Sequence, residues 1–76
     1  MKEVLEYIAR NLVDDPDAVR IEVVENGESV TFRLTVSPED MGKIIGRRGR
    51  TARAIRDVMR AAGTKAGVQA NVEIVG

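Results

Sequence analysis

The stretch GKIIGRRGRTARAI, residues 42–55, places two arginines between two glycines, behind a pair of isoleucines, and follows them with Arg50 and Arg53. Glycines at this spacing let a backbone come close to another group without meeting Cβ atoms, and they supply the positive φ that tight turns between helices need. The arginines suggest that the approaching group is anionic. Upstream, Ser37-Pro38-Glu39-Asp40 has an N-cap serine, a proline at the first helical position and a carboxylate behind it, so a helix opens there. It runs to about Ile45, where Gly46 and Gly49 interrupt it. A second helix starts near Arg50 or Thr51 and continues to Ala62, with Gly63 as its expected stop. The turn therefore sits where the first amides of the second helix are unpaired and its dipole favours an anion.

A GxxG turn is not a nucleotide loop. The GxGxxG fingerprint needs glycine at position 44, and the Walker pattern GxxxxGK[ST] needs glycine at 44 and lysine at 50, whereas the chain has Ile44 and Arg50. The flanks carry the signal instead. Met41 and Ile44 stand one turn apart and face a core. Gly42 and Ile45 form a second face that combines a missing side chain with an apolar one, the shape of half a groove.

Outward from this stretch, Val4, Leu5, Ile8 and Leu12 predict an amphipathic helix over residues 2–13 with Glu3, Glu6 and Arg10 toward water. Asp14-Asp15-Pro16-Asp17 ends it and reads as a turn rather than a magnesium site, because Asp and Pro are turn formers. Residues 18–24 and 29–36 alternate in polarity around Asn26-Gly27, a hairpin signal. A turn at Asn26-Gly27 pairs Val23 with Val30, Ile21 with Phe32 and Val19 with Leu34, all on one face. Residues 68–75 alternate again as a third strand. The order α-β-β-α-α-β predicts an α+β fold, three strands covered by helices.

The chain has no net charge, but the charge is segregated. Residues 1–40 hold four basic and ten acidic side chains, a balance of −6, and residues 41–60 hold seven basic side chains against Asp57 alone, a balance of +6. No histidine or cysteine is present in the 76 residues, which removes the commonest general base, metal ligand and thiol nucleophile and sets an enzyme at a disadvantage. No apolar stretch is long enough to span a bilayer, and Glu3, Glu6 and Arg10 do not suit a secretory signal, so the expected compartment is the cytoplasm, with no cofactor, metal or membrane. Tyr7 and Phe32, the only aromatics, fall on predicted core faces and leave no stacking platform for bases.

The run GKIIGRRGRTARAIR in this element order resembles the KH domain in its type II arrangement, as found in small bacterial stand-alone KH proteins of the KhpA type, and the likeness covers essentially residues 1–76. The resemblance implies a mixed three-stranded sheet with three helices on one face and a groove for about four single-stranded nucleotides. Gly46, Arg47, Arg48 and Gly49 would clamp the backbone. Gly42, Lys43, Ile45 and Ala52 would line one wall, the strand near Val72 the other, with Arg50, Thr51 and Arg53 beside the clamp. Arg56 and Arg60 read as a solvated helix face. The implied function is single-stranded RNA binding with low sequence discrimination, as a post-transcriptional regulator or RNA chaperone.

A second reading is a protein-interaction module. On the second helix of the pair, Ala52, Ile55, Met59 and Ala62 face the sheet, which leaves Ala54, Val58 and Ala61 as another apolar stripe and suggests a homodimer. The resemblance also implies pairing with a larger KH-containing RNA-binding protein.

Overall fold

The computed structural model describes residues 1–75; Gly76, the last position of the expected domain, lies outside the described residues. Helix α1 (Lys2–Leu12) leads through a 3-10 turn at Pro16–Ala18 into strand β1 (Arg20–Asn26) and strand β2 (Ser29–Thr35). A second 3-10 turn, Pro38–Asp40, opens α2 (Met41–Ile45), and a third, Arg47–Gly49, joins it to α3 (Arg50–Ala66), which is followed by β3 (Gln69–Val75). The sheet order is β1-β2-β3, antiparallel between the first pair and parallel between the second. This is the mixed α+β arrangement expected from the sequence.

Alternation decides which face is covered. Val30, Phe32 and Leu34 of β2 and Ala70 and Val72 of β3 are buried, while Arg33, Thr35, Gln69, Asn71 and Glu73 are exposed. The inward residues meet Leu5 and Ala9 of α1, Ile44 of α2 and Ile55 and Met59 of α3, so all three helices lie over one face of the sheet. On the open face Arg33 sits between its cross-strand neighbours, 3.2 Å from Glu22 and 3.6 Å from Glu73. Such exposed pairs contribute little to stability.

Four local expectations are corrected. In α1 the buried stripe is Leu5 and Ala9, with Ile8 partly covered, whereas Val4 and Leu12 lie at the surface and Tyr7 is 71% exposed. The hairpin turns at Gly27-Glu28, so Asn26 pairs with Ser29, Val23 with Phe32 and Ile21 with Leu34. That is a slip of two residues from the expected pairing, and because strand side chains repeat every two residues every apolar group keeps its face. Gly27 alone takes the positive φ, 63°, that the turn needs. Ser37 makes no side-chain cap; its carbonyl accepts from the Asp40 N–H at 2.8 Å in the 3-10 turn.

The last correction concerns α3, which passes through Gly63 to Ala66. Gly63 is buried, and a Cβ there would lie 2.8 Å from both the Ala70 Cβ and the Val68 carbonyl oxygen. The missing side chain is what lets the helix touch the strand. The helix stops at Gly67, φ 79°, where Gly67 N–H donates to Thr64 O at 3.2 Å and Val68 N–H to Gly63 O at 2.9 Å, the two bonds of a Schellman closure.

Candidate nucleic-acid interface

Three of the four residues at the loop adopt positive φ: Gly46 at 76°, Arg48 at 57° and Gly49 at 75°. For arginine this left-handed conformation costs about 1–2 kcal/mol, so the turn holds Arg48 against its preference. Gly46 N–H donates to Gly42 O at 2.8 Å and Gly49 N–H to Gly46 O at 3.1 Å, which fixes the turn from both sides. The 3-10 turn runs directly into α3, and Arg50 N–H donates to Arg47 O. The expectation of an unpaired first amide in α3 therefore fails at Arg50.

Gly42 and Gly46 are glycines for different reasons. At Gly46 an added Cβ would overlap Thr51 Oγ1 and lie 2.6 Å from Thr51 Cβ, so Thr51 acts as a half-buried wedge under the loop rather than as an exposed contact. At Gly42 a Cβ would meet nothing within 4 Å, and φ is not positive. Neither backbone nor packing demands glycine at position 42. It leaves open space beside Ile45, which is 41% exposed.

Charge around the loop divides into paired and unpaired. Lys43 Nζ lies 2.7 Å from Asp14 Oδ2 and 3.5 Å from Asp40 Oδ1, and Arg60 lies 3.2 Å from Asp57. Arg47, Arg48, Arg50, Arg53 and Arg56 have no carboxylate within 4.0 Å among the described residues. The first four are exposed and stand on the loop and the first turn of α3. Such a cluster attracts a polyanion because none of its charge is neutralised internally.

Asp40 is the one buried charged side chain among the described residues, and it ties this region to the α1–β1 connection. Its Oδ2 accepts from Asp15 N–H at 3.1 Å. Burial pushes the carboxyl up, but the backbone N–H groups of Asp14 and Asp15 and the Lys43 ammonium outweigh it, and its pKa lies below the usual carboxylate range. The hydrogen bond to Asp14 and the two carboxylate charges hold Lys43 protonated above its ordinary value. The aspartate run thus serves as a strut for α2, and no group of three metal-binding side chains occurs among the described residues.

Across from α2, the outer wall is β3, the edge strand beside α3. Val72 and Ala52 are both buried, so the small alanine forms a floor and offers no exposed wall. Arg56 was missed. Its Nε donates to the Val72 carbonyl at 3.3 Å, which places the side chain between α3 and the edge of β3. The available signal was its spacing, one turn beyond Arg53 and Ala52 on the loop-proximal side of the helix. Tyr7, exposed rather than in the core, projects from α1.

Ala54, Val58 and Ala61 are exposed along α3, Val58 by 45%. Near the end of that helix a shallow cleft of about 410 Å³ is lined by Met1, Val4, Ala62, Lys65 and Ala66. A second cavity, about 290 Å³, lies between the start of α1 and the hairpin turn, beside Val23, Gly27 and Phe32. Neither is lined by the glycine loop. No helix among the described residues is long and apolar enough to cross a membrane.

Comparison with known proteins is consistent across the chain. Residues 2–74 match the family model described as KhpA/KhpB, KH domain. The chain is 51% identical to the RNA-binding protein KhpA of Clostridium perfringens over 75 residues, covering 99% of this chain and 100% of that one. It is 43% identical to the RNA-binding protein KhpA of Chlamydia pneumoniae and 40% identical to that of Aquifex aeolicus, again over 99% of this chain and 96% and 95% of theirs. A mixed sheet in the order α-β-β-α-α-β, a glycine loop with unneutralised arginines and full-length similarity lead to one conclusion: the chain belongs to the KhpA/KhpB KH-domain family, which is non-enzymatic.

Proposed function

We propose that the protein binds single-stranded RNA in the groove between α2, the glycine loop, α3 and the edge of β3, with the loop as a phosphate clamp. The observation that carries this reading is the set of five arginines on the loop and α3 without carboxylate partners, beside a glycine at position 42 that nothing inside the molecule requires. The relatives named RNA-binding protein KhpA support it. Arg47 and Arg48 grip phosphates, Arg50 and Arg53 add charge along the strand, and Gly42 and Ile45 receive bases or sugars. Lys43, Thr51 and Ala52 position the walls. Contacts made mainly to phosphates give low sequence discrimination, which suits a cytoplasmic post-transcriptional regulator or RNA chaperone. The test is an RNA titration by fluorescence anisotropy on the parent and on Arg47→Asp/Arg48→Asp: binding of single strands over duplex by the parent, lost in the variant, supports the reading, and equal binding by both refutes it.

The exposed Val58 between Ala54 and Ala61 favours an additional interaction role. We infer that α3 pairs two copies of the chain, or one copy with a larger KH-containing RNA-binding protein, and that avidity from pairing raises a weak single-domain affinity.

A further inference from the structure

The open edge of β3 is where this chain departs from a plain groove. An edge strand presents unpaired N–H and C=O groups. Gln69 N–H turns inward, donating to Glu28 O at 2.8 Å, whereas the Val72 carbonyl turns outward to α3. Helix and strand touch at Gly63 and Ala70, where no side chain separates them. Two turns back along α3, toward the glycine loop, the gap is bridged by the Arg56 side chain, whose Nε holds the Val72 carbonyl at 3.3 Å. Among the loop and α3 arginines without a carboxylate partner, Arg56 alone makes a hydrogen bond to the backbone of another element. Its two terminal nitrogens have no hydrogen-bond partner among the described residues.

The consequence is chemical. Left uncovered, the Val72 carbonyl is an acceptor, and it would take the exocyclic amine of cytosine or adenine. Covered by Arg56, the same spot presents guanidinium donors, which match the carbonyl oxygens of uracil or guanine and oppose an amine. From the bond between Arg56 and the Val72 carbonyl we propose that Arg56 is a specificity-determining residue of the groove, converting an acceptor edge into a donor edge and favouring keto bases over amino bases at one nucleotide. This rests on the single-stranded RNA reading above, and it places a local preference within a low overall selectivity.

Uracil and cytosine isolate the effect, since they share ring size and differ at N3 and the 4-position. Anisotropy titrations of the parent with short oligouridylate and oligocytidylate of equal length should give about threefold to tenfold tighter binding of the uridylate, the range of one net hydrogen bond. Arg56→Met keeps most of the apolar stem and loses every donor. Its affinity for both falls through the lost charge, and its preference for uridylate disappears or reverses. An equal affinity of the parent for both, or a preference that persists in Arg56→Met, overturns the role of Arg56 while leaving RNA binding intact. A parent that binds neither oligonucleotide overturns the RNA reading and this inference with it. Should Arg56→Met not fold, the side-chain Nε–H resonance of Arg56 in the parent decides. Slow solvent exchange in the free chain and with uridylate bound supports the assignment, and fast exchange in either state overturns it.

Discussion

Gly46 and Thr51 occupy each other's space: a β-carbon on Gly46 would overlap the Thr51 hydroxyl. The loop is therefore fixed in shape before any ligand arrives, by a steric fit and by a φ of 76° at the same residue. With φ 76° and ψ 173°, Gly46 lies in a region essentially confined to glycine, so Gly46→Ala is expected to destabilise the fold by about 1–3 kcal/mol through its backbone alone, and further through the clash. Thr51→Ala in the same chain should recover only part of the loss, because Thr51 Cβ and N also lie 2.6 and 2.9 Å from the added carbon. Urea denaturation of the single and double variants measures both.

Gly42 separates function from fold in the opposite sense. Alanine is the better helix former by about 1 kcal/mol, and its Cβ has room. Gly42→Ala should leave stability unchanged or slightly raised while weakening RNA binding, since the methyl group enters the groove. Thermal unfolding and anisotropy on one preparation give the two readings; unchanged RNA affinity would remove position 42 from the binding surface.

Salt dependence follows from the unpaired arginines. With three or four phosphates neutralised and a slope near −0.7 for each, affinity should fall roughly twentyfold to fiftyfold between 50 and 200 mM salt. Arg53→Gln is expected to flatten the slope by about one phosphate equivalent, about 0.7. A slope near zero in the parent would argue against phosphate contacts.

The Asp40 strut sets a pH dependence. Its folded pKa is depressed, so its contribution to stability is present above the usual carboxylate range, near pH 4, and is lost as pH falls through the folded value. Lys43, whose pKa is raised, contributes fully below the ordinary lysine value of about 10.5 and loses that contribution only as pH rises beyond it. Stability should thus be insensitive to these groups between pH 5 and 9 and drop on the acid side. Asp40→Asn should lower the melting temperature at pH 7 and shallow the acid decline, as read from melts across pH.

The interface on α3 is tested by Val58→Glu. The side chain is exposed in the single chain, so folding should be unaffected while self-association weakens severalfold or more. Sedimentation equilibrium compares the two; a parent that remains monomeric at high micromolar concentration, or a variant that associates equally, removes this stripe as the interface.

The element order and the loop were legible because hydrophobic period, glycine spacing and charge agree with one another there. The faces of β1 and β2 were legible for the same reason, even though the turn lies one residue beyond Asn26-Gly27, since a slip of two preserves alternation. What escaped were facts set by tertiary contact. Gly63 resembles a helix stop, and only its closeness to Ala70 shows why the helix needs a glycine mid-course. Asp14 and Asp40 lie far apart in sequence, so their convergence on Lys43 has no local signal. Arg56 reads as one more solvated charge until β3 is placed beside it.

The hydrogen bond from Gln69 N–H to the Glu28 carbonyl also bears on the order of assembly. The hairpin forms from neighbours in the chain, but β3 aligns on β2 only by closing a loop that contains both helices of the glycine motif. Pairing across such a separation is slow relative to local contacts. Until Gln69–Val75 has docked, the arginine-rich stretch has its charge but no far wall beside it, so the shaped groove is among the last parts of the fold to form.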